Sequence, residues 1–430
     1  MKFWAPFLPL CLAAVPVAVC QDEESPTLQG YVTRVASVSD FDVNGLNILC
    51  GQHTHSRRPD EPRLGFFVMG PSSSPYLGQR VTIYGDKDKK LHAVKATEIV
   101  LEAPSYRVIS GSAVVDALPM QEMNGPQIET LLVRADGYLI RITGKTEIAW
   151  TERLHSLTDV KPGVWIDYKG TQEASGVVAA TYAKLSPNII SKGEEQLRVR
   201  SDFYEPPAQK KPGKTRLADK ASQGIDPAKF PPFNNPAMQA RVSAIGDKLI
   251  PAFERDLPDS DRAKIHIRFL LIDRRKWHDA LALPSGLILI PYQLVERLQN
   301  DTQLATVLAD NIAAVLERQL YRSLPAIYAI DFAEIGEGFV PYAGLGVQAA
   351  TDATASKILI EKFEEQSGRV SLGLLHDAGF DIDQAPIAWW LLASKQPKPI
   401  AEIPIPARAA NLYRALGESW HNPETVALEP

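Results

Sequence analysis

Cysteine is scarce: three in 430 residues, at Cys11, Cys20 and Cys50. Residues 1–20 read as a cleavable leader, so only Cys50 would remain. A single thiol forms no internal disulfide, and packing must supply the stability. Charge of one sign is also lacking. A formal net charge of -5 at this length argues against a broad surface for nucleic acid or anionic membrane. Beyond the leader there is no long apolar run. With 45% hydrophobic and 23% charged residues, the chain is ordinary for a soluble protein of two or three domains. Histidine is sparse too: residues 237–421 hold only His266, His278, His376 and His421, none with a histidine four residues away.

The first twenty residues carry Lys2, the run FWAPFLPLCLAAVPVAV and then Ala18-Val19-Cys20 before an acidic stretch, as in a secretory signal. Export to a periplasm or the medium is expected, with no stable membrane insertion after cleavage. The other readings are an N-terminal anchor, disfavoured by Pro6, Pro9 and Pro16, and lipidation at Cys20.

Residues 28–103 have period-two alternation, with an Asn44-Gly45 turn and the strand Gly78 to Gly85. A second copy spans 106–190, where Gly163 to Gly170 repeats the same glycine spacing and Asp136-Gly137 marks a hairpin. The expected fold is multidomain α+β: two tandem OB-like β-barrels, then a mostly helical domain with a small sheet. In the first copy CGQHTH places Cys50, His53 and His55 close together, but without a fourth ligand it reads as a polar surface loop. The two β domains resemble OB-like domains of unknown function from exported bacterial proteins, and that resemblance brings no activity with it.

Residues 200–236 are rich in Pro and Lys and read as a semi-extended linker. The last domain, 237–421, begins with helical spacing at Met238, Val242, Ile245 and Leu249, followed by a strand over 265–272. From Trp277 to Ser323 comes a turn at Leu283 to Gly286 and then a short apolar strand, Leu287 to Ile290. Leu304, Leu308, Ile312, Leu316 and Leu320 follow as one helical face of five turns. Trp389 and Trp390 read as packing residues.

This strand-to-helix unit resembles the core of metallopeptidase family forty-eight, the gluzincin family of HtpX and the CAAX-prenyl proteases. There A-L-P-G-G precedes a helix carrying L-A-H-E-x-x-H. Ala282-Leu283-Pro284-Ser285-Gly286 and Leu308-Ala309-Asp310-Asn311-Ile312-Ala313-Ala314 fall in those places. Two histidines four apart grip one zinc while the intervening Glu activates water. Here the histidine positions are Asp310 and Ala314, and the Glu position is Asn311. Alanine has no ligand atom, and a carboxamide cannot take a proton from water at neutral pH. Glu364 falls at the family's third ligand position, but the A-D pair after it is Ser367-Gly368. Pro406 to Trp420, with Arg408 and Arg414, resembles the closing helix.

Three readings follow. One is an exported, catalytically inactive metallopeptidase-like protein that binds no metal or other cofactor. It would take a peptide or envelope protein, and no nucleic acid, by strand addition at Leu287, Ile288, Leu289 and Ile290. Another is an active zinc endopeptidase with substituted ligands, drawn from Asp310, Glu364 and His278. The last is an adaptor that binds through its barrels.

Overall fold

In the computed structural model, residues 25–61, 74–88, 90–102, 106–124, 127–151, 153–203, 225, 227–274, 278–323, 353–394 and 398–423 are described. Residues 1–24, where the sequence suggests a leader, and the stretches 204–224 and 324–352 lie outside them.

The first five strands are β1 (Leu28–Ser37), β2 (Asp40–Val43), β3 (Leu46–Arg57), β4 (Arg80–Asp88) and β5 (Ala93–Leu101), and they close into a barrel in the order β1-β2-β3-β5-β4. Alternate side chains point inward, and Val32, Phe41, Ile48, Val81, Ile83 and Val94 have no exposed surface. Closure leaves no strand edge for another chain to pair with. Asn44 and Gly45 turn the β2–β3 hairpin at φ 50° and 78°.

The second barrel comprises β6 (Arg107–Asn124), β7 (Gln127–Ala135), β8 (Tyr138–Thr143), β9 (Glu147–Trp150), β10 (Trp165–Gln172) and β11 (Val178–Ser186). Its closed ring runs β6-β7-β8-β11-β10, with β9 alongside β11. This is the cyclic order of the first barrel, down to the one parallel pairing in the ring, β8–β11 matching β3–β5. The repeated glycine spacing has a physical cause. Gly85 and Gly170 both sit at a register shift, where a Cβ would collide with the carbonyl oxygen of Lys95 or of Ala179 on the partner strand.

The remaining elements form the helical domain. In order they are α1 (Lys192–Arg200), α2 (Pro236–Leu249), α3 (Ala252–Arg255), β12 (Arg268–Ile272), β13 (Leu281–Ala282), β14 (Leu287–Pro291), α4 (Tyr292–Arg297), α5 (Asp301–Leu316), α6 (Gln319–Arg322), α7 (Ala353–Asp377), α8 (Ala385–Ala393) and α9 (Ala407–Ala415). A π-helical turn, Leu416–Trp420, follows α9. Helix α5 starts at Asn300, whose side chain accepts from the Gln303 amide, and it is buried on every side from Gln303 to Leu316. It is therefore a central helix rather than one with a single buried face. It also ends a turn before the spacing suggests. Arg318 adopts φ 52°, so Leu320 belongs to the separate α6.

Several sequence expectations are corrected. The strand expected over 265–272 begins only at Arg268. CGQHTH is part of strand β3 and not a loop; Cys50 and His55 flank a register shift, and His53 points to solvent. The described ends of the 200–236 segment are packed, with Phe203 bridging Ile225 and Phe230 only 1% exposed. Among the described residues, no helix is long and apolar enough to cross a membrane.

The second barrel docks on the helical domain through charge pairs. Arg369 of α7 reaches the β7–β8 turn, where its Nη2 donates to Oδ1 of Asp136 at 2.6 Å and its Nε to the Asp136 carbonyl at 3.0 Å. Arg134 of β7 pairs with Asp116 at 2.7 Å and also with Asp377 of α7. Arg107 of β6 pairs with Glu418 at 2.6 Å.

Candidate functional site

Helix α5 brings Asp310, Asn311 and Ala314 to the centre of the helical domain. Asp310 is fully buried and uses both carboxylate oxygens: Oδ1 accepts from Ser367 Oγ at 3.0 Å, and Oδ2 from Arg408 Nη2 at 2.5 Å. Arg408 stands on the first turn of α9, behind Pro406, the residue that starts the helix. Its Nη1 donates to Asp279 Oδ2 at 2.9 Å, and its Cζ lies 3.4 Å from the centre of the Trp389 ring. The guanidinium is thus held by two carboxylates and an aromatic face at once. Trp389 packs as expected, but it is also the platform for this cation.

Burial pushes the Asp310 carboxyl above its usual range, and Arg408 acts against that rise. Glu364, half-buried on α7, shifts up for the same reason, again opposed by Arg408 and reinforced by Asp310 and Asp279. Arg408 is therefore the positive charge that three carboxylates face.

A zinc ion does not fit this donor set. Both Asp310 oxygens are taken, and Ala314 offers no ligand atom. The Asn311 amide donates to the Val307 carbonyl at 2.8 Å, and its Oδ1 is buried without a hydrogen-bond partner. His278 is exposed and stays out of the site; its neighbour Asp279 enters instead. Among the described residues, no group of three or more His, Cys, Asp or Glu side chains is placed to hold a metal ion.

For strand addition at Leu287 to Ile290 the relevant fact is the sheet order, β12-β14-β13, which puts β14 in the middle. Along one edge β14 pairs with β12 over all five of its residues. Along the other, Ile288 and Leu289 face β13, and the Leu287 carbonyl accepts from the Leu283 amide at 2.9 Å. The four side chains are at most 3% exposed. A peptide could join this strand only by displacing β13.

Sequence reasoning named Arg408 as a residue of the closing helix but missed its role. The available signal was an acid within a mostly apolar helix together with an arginine in the last helix. Compared with known proteins, the chain matches no family model and no curated protein.

Proposed function

We propose that this chain is an exported, catalytically inactive protein of the metallopeptidase type, which binds a peptide or protein partner in the cell envelope. What supports this most is the Arg408 guanidinium, paired with Asp310 at the helix position where the resembling peptidases carry their first zinc-binding histidine. A fixed cation there repels a metal ion, and Asn311 cannot serve as general base. No water is activated, and the helical domain serves as the support on which the two barrels are seated.

The test is cleavage of fluorescent casein by the chain from residue 21 onward, with and without EDTA. The expected result is no turnover in either case. Chelator-sensitive turnover would overturn the proposal and return Glu364 and Asp310 to the role of zinc ligands.

A further inference from the structure

With β14 closed on both edges, a peptide needs another place, and the junction of the second barrel with the helical domain offers one. A cavity of about 530 Å³ opens there between the β10 approach, the α2–α3 corner and the end of α7. That volume lies within the range of small-ligand sites, which favour domain interfaces. None of Asp310, Asn311, Ala314 and Glu364 lines it.

Its apolar wall is Leu249, Phe253 and Leu374, with Leu249 and Leu374 nearly fully buried. Two of its acids stand together. Asp116 has a side chain only 4% exposed, and Asp377, half exposed, stands beside it on the wall. One guanidinium, Arg134, serves both carboxylates. His376 Nδ1 lies 3.4 Å from Asp377. The two carboxylates thus outnumber the one guanidinium paired with them. Burial, with Asp377 adding to it, raises the Asp116 carboxyl to about 6 in spite of Arg134.

The same lining carries two lysines. Lys161 and Lys248 are exposed and form no salt bridge among the described residues, while Arg255 is spent on Asp256 at 3.2 Å. A ligand matching this lining carries an ammonium for the paired acids, an apolar body and a carboxylate for the lysines. A fatty acid lacks the ammonium, and a polyamine would meet the lysines.

We propose that this cavity binds a short apolar peptide by its free amino group, which sits against Asp116 and Asp377 while its carboxylate faces Lys161 and Lys248. This deepens the partner-binding half of the function proposed above and rests on it. Loss of catalysis is a separate matter.

The probe is trileucine, titrated calorimetrically into the chain from residue 21 onward. Saturable binding is expected. N-acetyltrileucine, which lacks the charged amine, should bind at least about tenfold more weakly, as loss of one partner from a partly buried charge pair implies. Asp377→Asn should weaken trileucine by a similar factor. Ala252→Trp, at an exposed wall position, should block the cavity and abolish binding with an unchanged melting temperature. Equal binding of the acetylated peptide, full binding by Ala252→Trp, or no heat with trileucine at millimolar concentration would overturn the assignment. An inert result in the casein assay would stand through any of these, so the two proposals fail separately.

Discussion

Arg408 and Asp310 are 98 positions apart in the chain, yet Nη2 of one lies 2.5 Å from Oδ2 of the other in the middle of the helical domain. The pair ties α9 to α5. Through Asp279 and Trp389 the same guanidinium also reaches the segment before β13 and helix α8. Four parts of the fold converge on one cation.

Breaking that pair from one side should be costly. Asp310→Asn leaves a buried guanidinium short of a carboxylate, and Arg408→Met leaves Asp310 buried without its cation, each costing about 3–5 kcal/mol. Replacing both at once, Asp310→Leu with Arg408→Met, should cost less than the two single changes together, because no charge is stranded between them. Urea unfolding of the three variants checks this. Additive losses would show that the ion pair is not the coupling element.

Docking of the second barrel should fail with one methyl group. Gly137 has φ 70°, and a Cβ there would collide with the Arg369 side chain and backbone. Gly137→Ala combines that clash with left-handed strain of about 1–3 kcal/mol and displaces Arg369 from Asp136. Scanning calorimetry should then resolve the barrel as a separate, earlier transition. A single transition at the native temperature would count against charge-mediated docking.

Stability should rise as pH falls from 7.5 to 5.5. The folded state holds Asp116 at about 6, above its ordinary value of 3.8, so between those values the folded chain binds more protons than the unfolded one. Stability therefore falls as pH climbs through that window, by up to about 3 kcal/mol for this group. Burial shifts Asp310, Glu254, Glu317 and Glu364 the same way. Asp40, Asp88 and Asp159, held below their usual range by their hydrogen bonds, act oppositely and only as pH drops further. Urea midpoints across this range measure the slope, which Asp116→Asn should reduce. A midpoint that rises with pH would contradict the assignment.

What could be read from the sequence were features set by neighbours in the chain. Alternation, the paired glycines and the Asn44-Gly45 and Asp136-Gly137 turns gave two barrels, because each reflects a local backbone demand. The burial of α5 was visible in its leucine row. Strand order was not: Leu287 to Ile290 reads as a buried strand whether it is central or at an edge, and only the pairing with β12 and β13 decides. Nor does periodicity show that Arg318 turns left-handed. The site was half legible. Asp310 and Asn311 could be picked out as polar positions of α5, but the cation that pairs with Asp310 comes from the far end of the chain.

The most direct measurement is zinc per chain by elemental analysis. It would compare the purified native protein with the triple change Asp310→His, Asn311→Glu, Ala314→His, and with the same triple change plus Arg408→Met. With Arg408 as the resident cation, the native protein and the triple change carry no stoichiometric zinc, and the variant that also lacks Arg408 gains about one per chain. One zinc per native chain would contradict the account, since Asp310 would then have to give up Arg408 for a metal.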